Sequence, residues 1–102
     1  MISVFYSEGR NFPLVVCDQC GEAIKNAELG MVAFGETREE GKYQELAFLH
    51  KGQCDKTFKE GEKRPGGWME LSHFLARLCH NAGTGGENFV KASKGAAELE
   101  RF

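Results

Sequence analysis

Two short stretches decide how this chain is read: Cys17-Asp18-Gln19-Cys20-Gly21 and His50-Lys51-Gly52-Gln53-Cys54. A two-residue gap between cysteines lets a tight turn aim both sulfurs at one point, and a tetrahedral metal site needs two such ligand pairs. Gly21 supplies a backbone angle, needed after the second cysteine, that residues with a Cβ avoid. The second pair lies where a strand is expected to give way to a helix. A thiol at a helix N-terminus is favoured as the thiolate by the dipole and the free amides, which suits Cys54 as a ligand. Cys17, Cys20, His50 and Cys54 are therefore expected to hold one structural Zn2+. With four protein ligands the site is closed and keeps no position for water, which argues against catalysis at the metal.

Working outward, the segments around these pairs read as strands. Ile2, Val4 and Tyr6 alternate with Ser3, Phe5 and Ser7, the period of a half-buried strand, followed by a turn at Glu8-Gly9-Arg10-Asn11. Leu14-Val15-Val16 is expected to pair back on it and deliver the chain to Cys17. Residues 29–34 and 43–49 are two further strand-like runs flanking a polar, glycine-bounded stretch, and so predict a hairpin that ends on His50. Cys54 to Glu60 is long enough for about two helical turns before Gly61 stops it. From Trp68 onward, apolar residues at 68, 71, 74, 75, 78 and 82 make the stripe of an amphipathic helix ending at Asn81-Ala82-Gly83. Strands precede helices, which indicates an α+β fold.

The order of a C-x-x-C-G knuckle, a hairpin and a helix that opens with the last ligand resembles the treble-clef zinc fingers, including LIM-like modules. The resemblance covers residues 14–60 and implies a structural metal ion. The usual second pair has two intervening residues, whereas three separate His50 from Cys54. The class includes DNA binders, RNA binders, protein adaptors and nucleases, so the fold does not choose among them.

The 102 residues, 41% hydrophobic and 27% charged, have the composition of one globular domain. A single zinc-finger domain is expected over residues 1–83, with a weakly structured or short helical tail over 84–102. A domain this small gains from a metal staple. No run approaches the roughly 18 apolar residues of a membrane span, so a soluble cytoplasmic protein without membrane contact is expected. In a reducing compartment, closely spaced cysteines are read as ligands before disulfides. The competing reading of Cys17 and Cys20 as a redox dithiol lacks the crossover helix that a thioredoxin-type site requires.

The formal charge of -2 disfavours nonspecific nucleic-acid binding. Its one local exception is residues 50–64, where Lys51, Lys56, Lys59, Lys63 and Arg64 face three acids for a net of +2. On the wheel of the later helix, Cys79 falls on the core side as a small buried hydrophobe. His73, Arg77 and His80 gather opposite, as a solvated face or a contact surface for an anion or partner. Trp68, Met69 and Phe74 at the stripe's edges predict an apolar strip for a partner or for self-association. The expected function is thus a non-catalytic binding module for another protein. A nucleic-acid-binding finger using Lys51 to Arg64 is the alternative, and a nuclease or dithiol oxidoreductase a distant third.

Overall fold

The computed structural model describes residues 1–35, 39–61, 67–99 and 101, with only the backbone for 59–61. It is an α+β fold with two antiparallel sheets. Strands β1 (Ile2–Ser7) and β2 (Arg10–Val15) form a hairpin. A 3-10 turn, Ala27–Leu29, leads into β3 (Gly30–Phe34), which lies between β4 (Leu46–His50) and β5 (Trp68–Glu70) in the second sheet. Helices α1 (Gln53–Gly61), α2 (Leu71–Ala82) and α3 (Glu87–Ala97) complete the described elements.

The first hairpin turns at Glu8-Gly9 alone, with φ of 50° and 75°. Two successive positive values give the primed turn whose twist matches that of the flanking strands. Arg10 and Asn11, expected in the turn, are therefore strand residues facing Ser7 and Tyr6. The period-two alternation of β1 is present, but its apolar side is inverted relative to expectation. Ile2, Val4 and Tyr6 are 58%, 59% and 69% exposed, while Ser3 and Ser7 are half-buried. On the face that carries the serines, Phe12 and Leu14 of β2 are half-buried, so the described residues cover mainly that face, although Phe5 on it is still 48% exposed.

The core is built on β3. Met31 and Val32 point to opposite sides of the strand and both are buried, so both faces of this sheet are covered. Leu49, Phe48, Leu71, Ile24 and Cys17 complete the buried set. Phe74 of α2 meets Phe48 edge-on, ring centroids 5.6 Å apart, and Phe58 of α1 packs against the same cluster. The hairpin of β3 and β4 pairs Gly30 with His50 and Phe34 with Leu46. Residues 36–38 of its connection, and 62–66 before β5, lie outside the described residues.

Two helical expectations change. Trp68 and Met69 lie in a strand: they pair with Ala33 and Val32, and Glu70 pairs with Met31. The free edge of β3 offers a ladder of backbone hydrogen bonds, and these residues fill it in place of a further helical turn. Helix α2 therefore starts at Leu71 and closes on Gly83, whose N–H bonds the carbonyls of Cys79 and His80. With Trp68 off the helix, its inward face is Leu71, Phe74 and Leu75, and the last turns carry Leu78 and Cys79 exposed. Cys79 is consequently a surface thiol. Between the two alternatives for the tail, Glu87–Ala97 form a helix.

One glycine is fixed by close approach. A Cβ built on Gly30 would stand 2.7 Å from Leu71 Cδ2 and 2.9 Å from Ile24 Cγ2, both in buried side chains with little room to retreat. Gly30→Ala should therefore destabilise the fold by about 1–3 kcal/mol, as overpacking does. Urea unfolding of the metal-loaded protein checks this, and a loss no larger than that of an exposed Gly85→Ala control would contradict the packing.

Candidate metal centre

The first ligand pair hangs on a turn stitched by its own backbone. Cys17 N–H donates to Glu22 O (2.9 Å) and Gly21 N–H to Cys17 O (2.9 Å), with Gly21 at φ 78°, where a Cβ is disfavoured. An isolated bridge between Val16 and Ala23 closes the base of the turn. Asp18 then ties the turn to β4 in both directions: its N–H donates to Phe48 O (2.7 Å), and its carboxylate accepts from Phe48 N–H (2.8 Å). His50 lies two residues beyond Phe48, on the same face of β4. This pair of bonds therefore sets the distance between the cysteine turn and the histidine.

The sulfurs of Cys17, Cys20 and Cys54 and a ring nitrogen of His50 all lie within 4.8 Å of one another. Cys20 Sγ is 3.4 Å and Cys54 Sγ 3.9 Å from His50 Nδ1. A tetrahedral ion bound at about 2.3 Å by sulfur and 2.0–2.1 Å by nitrogen holds its ligand atoms roughly 3.5–3.8 Å apart, so the set fits such an ion with small adjustments. The other ring nitrogen, Nε2, stands 3.3 Å from the carbonyl of Ala23. A carbonyl only accepts, so Nε2 carries the proton and the Nδ1 lone pair faces the three sulfurs, the arrangement in which histidine serves as a ligand. Cys17 is buried, His50 and Cys54 are half-buried and Cys20 is exposed, so the cluster sits at the surface edge of the core.

The thiols are electrically unequal. Burial pushes the Cys17 thiol up, but backbone N–H bonds near Cys20, His50 and Gln19 outweigh it and bring it down to about 6. Cys54 is pushed up to about 11 by burial, by its contacts with the Cys20 and Cys17 thiols and by their like charge. The helix N-terminus, expected to favour a Cys54 thiolate, is thus overridden by burial and by two neighbouring sulfurs. A divalent cation reverses the sign of that crowding. These four residues can hold a metal ion.

The remaining sequence candidates do not form one surface. Lys51 Nζ lies 2.8 Å from Glu70 Oε1, and His73 Nε2 lies 4.0 Å from the same carboxylate, so two of them converge on an acid. Contact with Lys51, then its charge, holds the Glu70 carboxyl below the usual range. Lys56, Arg77 and His80 are exposed, the Lys59 side chain is not described, and Lys63 and Arg64 lie outside the described residues. Sequence reading passed over Asp18, Ala23 and Glu70. Asp18 had a signal, a carboxylate inside the cysteine turn, whereas the other two act through contacts made only on folding.

No family model matches the chain, and comparisons with curated proteins and with solved structures likewise return no match.

Two outcomes follow from this geometry. Removing the Asp18 carboxylate in Asp18→Ala should weaken metal binding about 10–100-fold with stoichiometry unchanged, the usual effect of losing a group that orients ligands. Competition titration against a chromophoric chelator measures it. Because Cys54 holds its proton at pH 7, metal binding should expel at least one proton there. Affinity should fall with pH and fall more steeply below about 6, where Cys17 is protonated as well. Calorimetry in buffers of different ionisation enthalpy reads the proton count.

Proposed function

We propose that this protein is a non-catalytic, zinc-stabilised binding module of the treble-clef kind, acting on a protein partner in the reducing cytoplasm. The observation that carries the reading is the convergence of four protein ligand atoms on one centre. Three sulfurs and an imidazole are a donor set suited to Zn2+, and four protein donors complete a tetrahedron, so the ion has a structural role. Bound zinc contributes on the order of 10–16 kcal/mol in small fingers, enough to compensate for a small core, seven buried residues among those described. The order of cysteine turn, β3–β4 hairpin and a helix carrying Cys54 in its first turn supports the treble-clef comparison.

A protein partner is favoured by the exposed apolar side of the first hairpin. Ile2, Val4 and Tyr6 line it, joined by exposed Pro13 opposite Val4. Contiguous apolar surface of this kind marks interaction sites. Of the edge strip Trp68, Met69 and Phe74, Trp68 is 57% exposed, while the other two are half-buried. The nucleic-acid alternative is weakened at Lys51, which is paired with Glu70.

Mass spectrometry of the purified protein should find one zinc per chain. Cys54→Ser should lower zinc affinity and the melting temperature, and Cys79→Ser should change neither; one zinc retained at full affinity in Cys54→Ser would overturn the assignment. A partner captured by the wild type should be lost from the double variant Val4→Glu, Tyr6→Ser and should survive high salt. Steep weakening with salt would point instead to nucleic acid.

A further inference from the structure

The backbone edge of β1 can be read residue by residue. Val16 N–H donates to Met1 O (2.7 Å) and Met1 N donates back to Val16 O (2.5 Å), so this pair closes a hydrogen-bonded ring at the base of the first hairpin. Bonded and non-bonded pairs alternate along an antiparallel ladder. The register therefore turns the backbone groups of Ser3, Phe5 and Ser7 toward β2, and those of Ile2, Val4 and Tyr6 outward. The outward N–H and C=O groups of Ile2, Val4 and Tyr6 have no partner among the described residues.

The other edges are occupied or interrupted. On β2, Val15 O accepts from Ile24 N–H (2.7 Å), and Pro13, which also faces outward, has no N–H to offer. On β4, Asp18 takes both backbone groups of Phe48. Strand β5 is three residues long and ends in Glu70. Strand β1 runs for six residues with neither a charge nor a proline, the features that keep an edge from pairing with another chain.

We propose that β1 pairs antiparallel with β1 of a second copy of this chain, which rests on the reading above that the apolar side of this hairpin takes a protein. A two-fold axis through Val4 is the register that uses all three outward residues: Val4 meets Val4 of the second copy, and Ile2 meets Tyr6 in both directions. Residues opposed in this way exchange both N–H···O bonds. Ile2 beside Tyr6 is a β-branched residue against an aromatic ring, a favourable cross-strand pair. On the other face, Phe5 of one copy falls opposite the small Ser3 of the other. A cleft of about 540 Å³ lies there, with Met1, Ser3, Val4 and Leu14 among its walls. The occupant is a second copy because the match is to itself: no like charges meet along β1, and one register serves every outward group. Pairing also converts a two-stranded hairpin, marginal by itself, into a four-stranded sheet with a continuous apolar face.

Sedimentation equilibrium of the zinc-loaded full chain between about 1 μM and 1 mM should show a reversible monomer–dimer equilibrium. Amide exchange at Val4 and Tyr6 should slow as the dimer forms, while that of Asn11, outward on β2, should not change. Because Val4 meets itself at the axis, Val4→Glu and Val4→Lys should each weaken self-association about fivefold or more, and an equimolar mixture of the two should restore it. One zinc per chain and a dispersed amide spectrum show that both variants are folded. A chain that stays monomeric at about 1 mM overturns the proposal. If a partner captured by that monomeric chain is still lost from the double variant Val4→Glu, Tyr6→Ser, the broader protein-binding reading stands; if no partner depends on those residues, both fall. Dimers indifferent to either charge, or a mixture no tighter than the single variants, would overturn the proposal as well.

Discussion

Cys20 and His50 are 30 residues apart in the chain, yet their ligand atoms stand 3.4 Å from each other, and much of the fold follows from how that approach is held. The link is made at the backbone, one step away from the ligands. Asp18 and Phe48 exchange two hydrogen bonds between the cysteine turn and β4, so the turn docks on the strand as if it were a short extra partner. Once that register is set, His50 cannot avoid the sulfurs, and Cys54 follows a few residues later in the first turn of α1. The bond from His50 Nε2 to Ala23 returns the favour from the other side, orienting the ring from the turn that carries the cysteines.

This arrangement ties the metal centre to the core without placing it inside. Cys17 is the one ligand that is also a core residue, packed with Ile24, Leu49 and Leu71. Its thiol is the easiest of the pair described to ionise, since amide N–H groups near the turn face it, whereas Cys54 meets two sulfurs and resists. The uneven pair makes sense for a cluster that a cation completes: one anion is prepared by the backbone, and another is released only against a positive charge. The remaining core is small and gathered around β3, so a metal staple and the sheet would support each other.

The surface is less uniform than the composition implies. Apolar side chains on the outer face of the first hairpin, an apolar cleft beside β2, and a lysine and histidine converging on Glu70 are three different neighbourhoods among the described residues. None of them shares a residue with the four metal ligands.

The convergence of Cys17, Cys20, His50 and Cys54, the β3–β4 hairpin, the helix after His50 and the α+β order were legible because each rests on local chemistry: cysteine spacing, alternation of period two, and a helical stripe between stop signals. Where the reading failed, the deciding partner lay elsewhere in the chain. The alternation of β1 locates a strand, but which face is buried depends on what packs against it, and the serine side was chosen. Residues 68–70 fit a helical stripe equally well until β3 presents an open edge, and Cys79 continues the stripe of Leu71 and Leu75 but falls in the last turns of α2, which are exposed. Asp18 is visible in the sequence as an acid in a turn, but its grip on Phe48 exists only after β4 arrives. Sequence alone determined most of the elements and picked out the four residues that converge as a candidate metal site; tertiary structure decided faces, edges, the strand at residues 68–70 and the bonds that bring the four together, because those are set by contacts between segments that are distant in the chain.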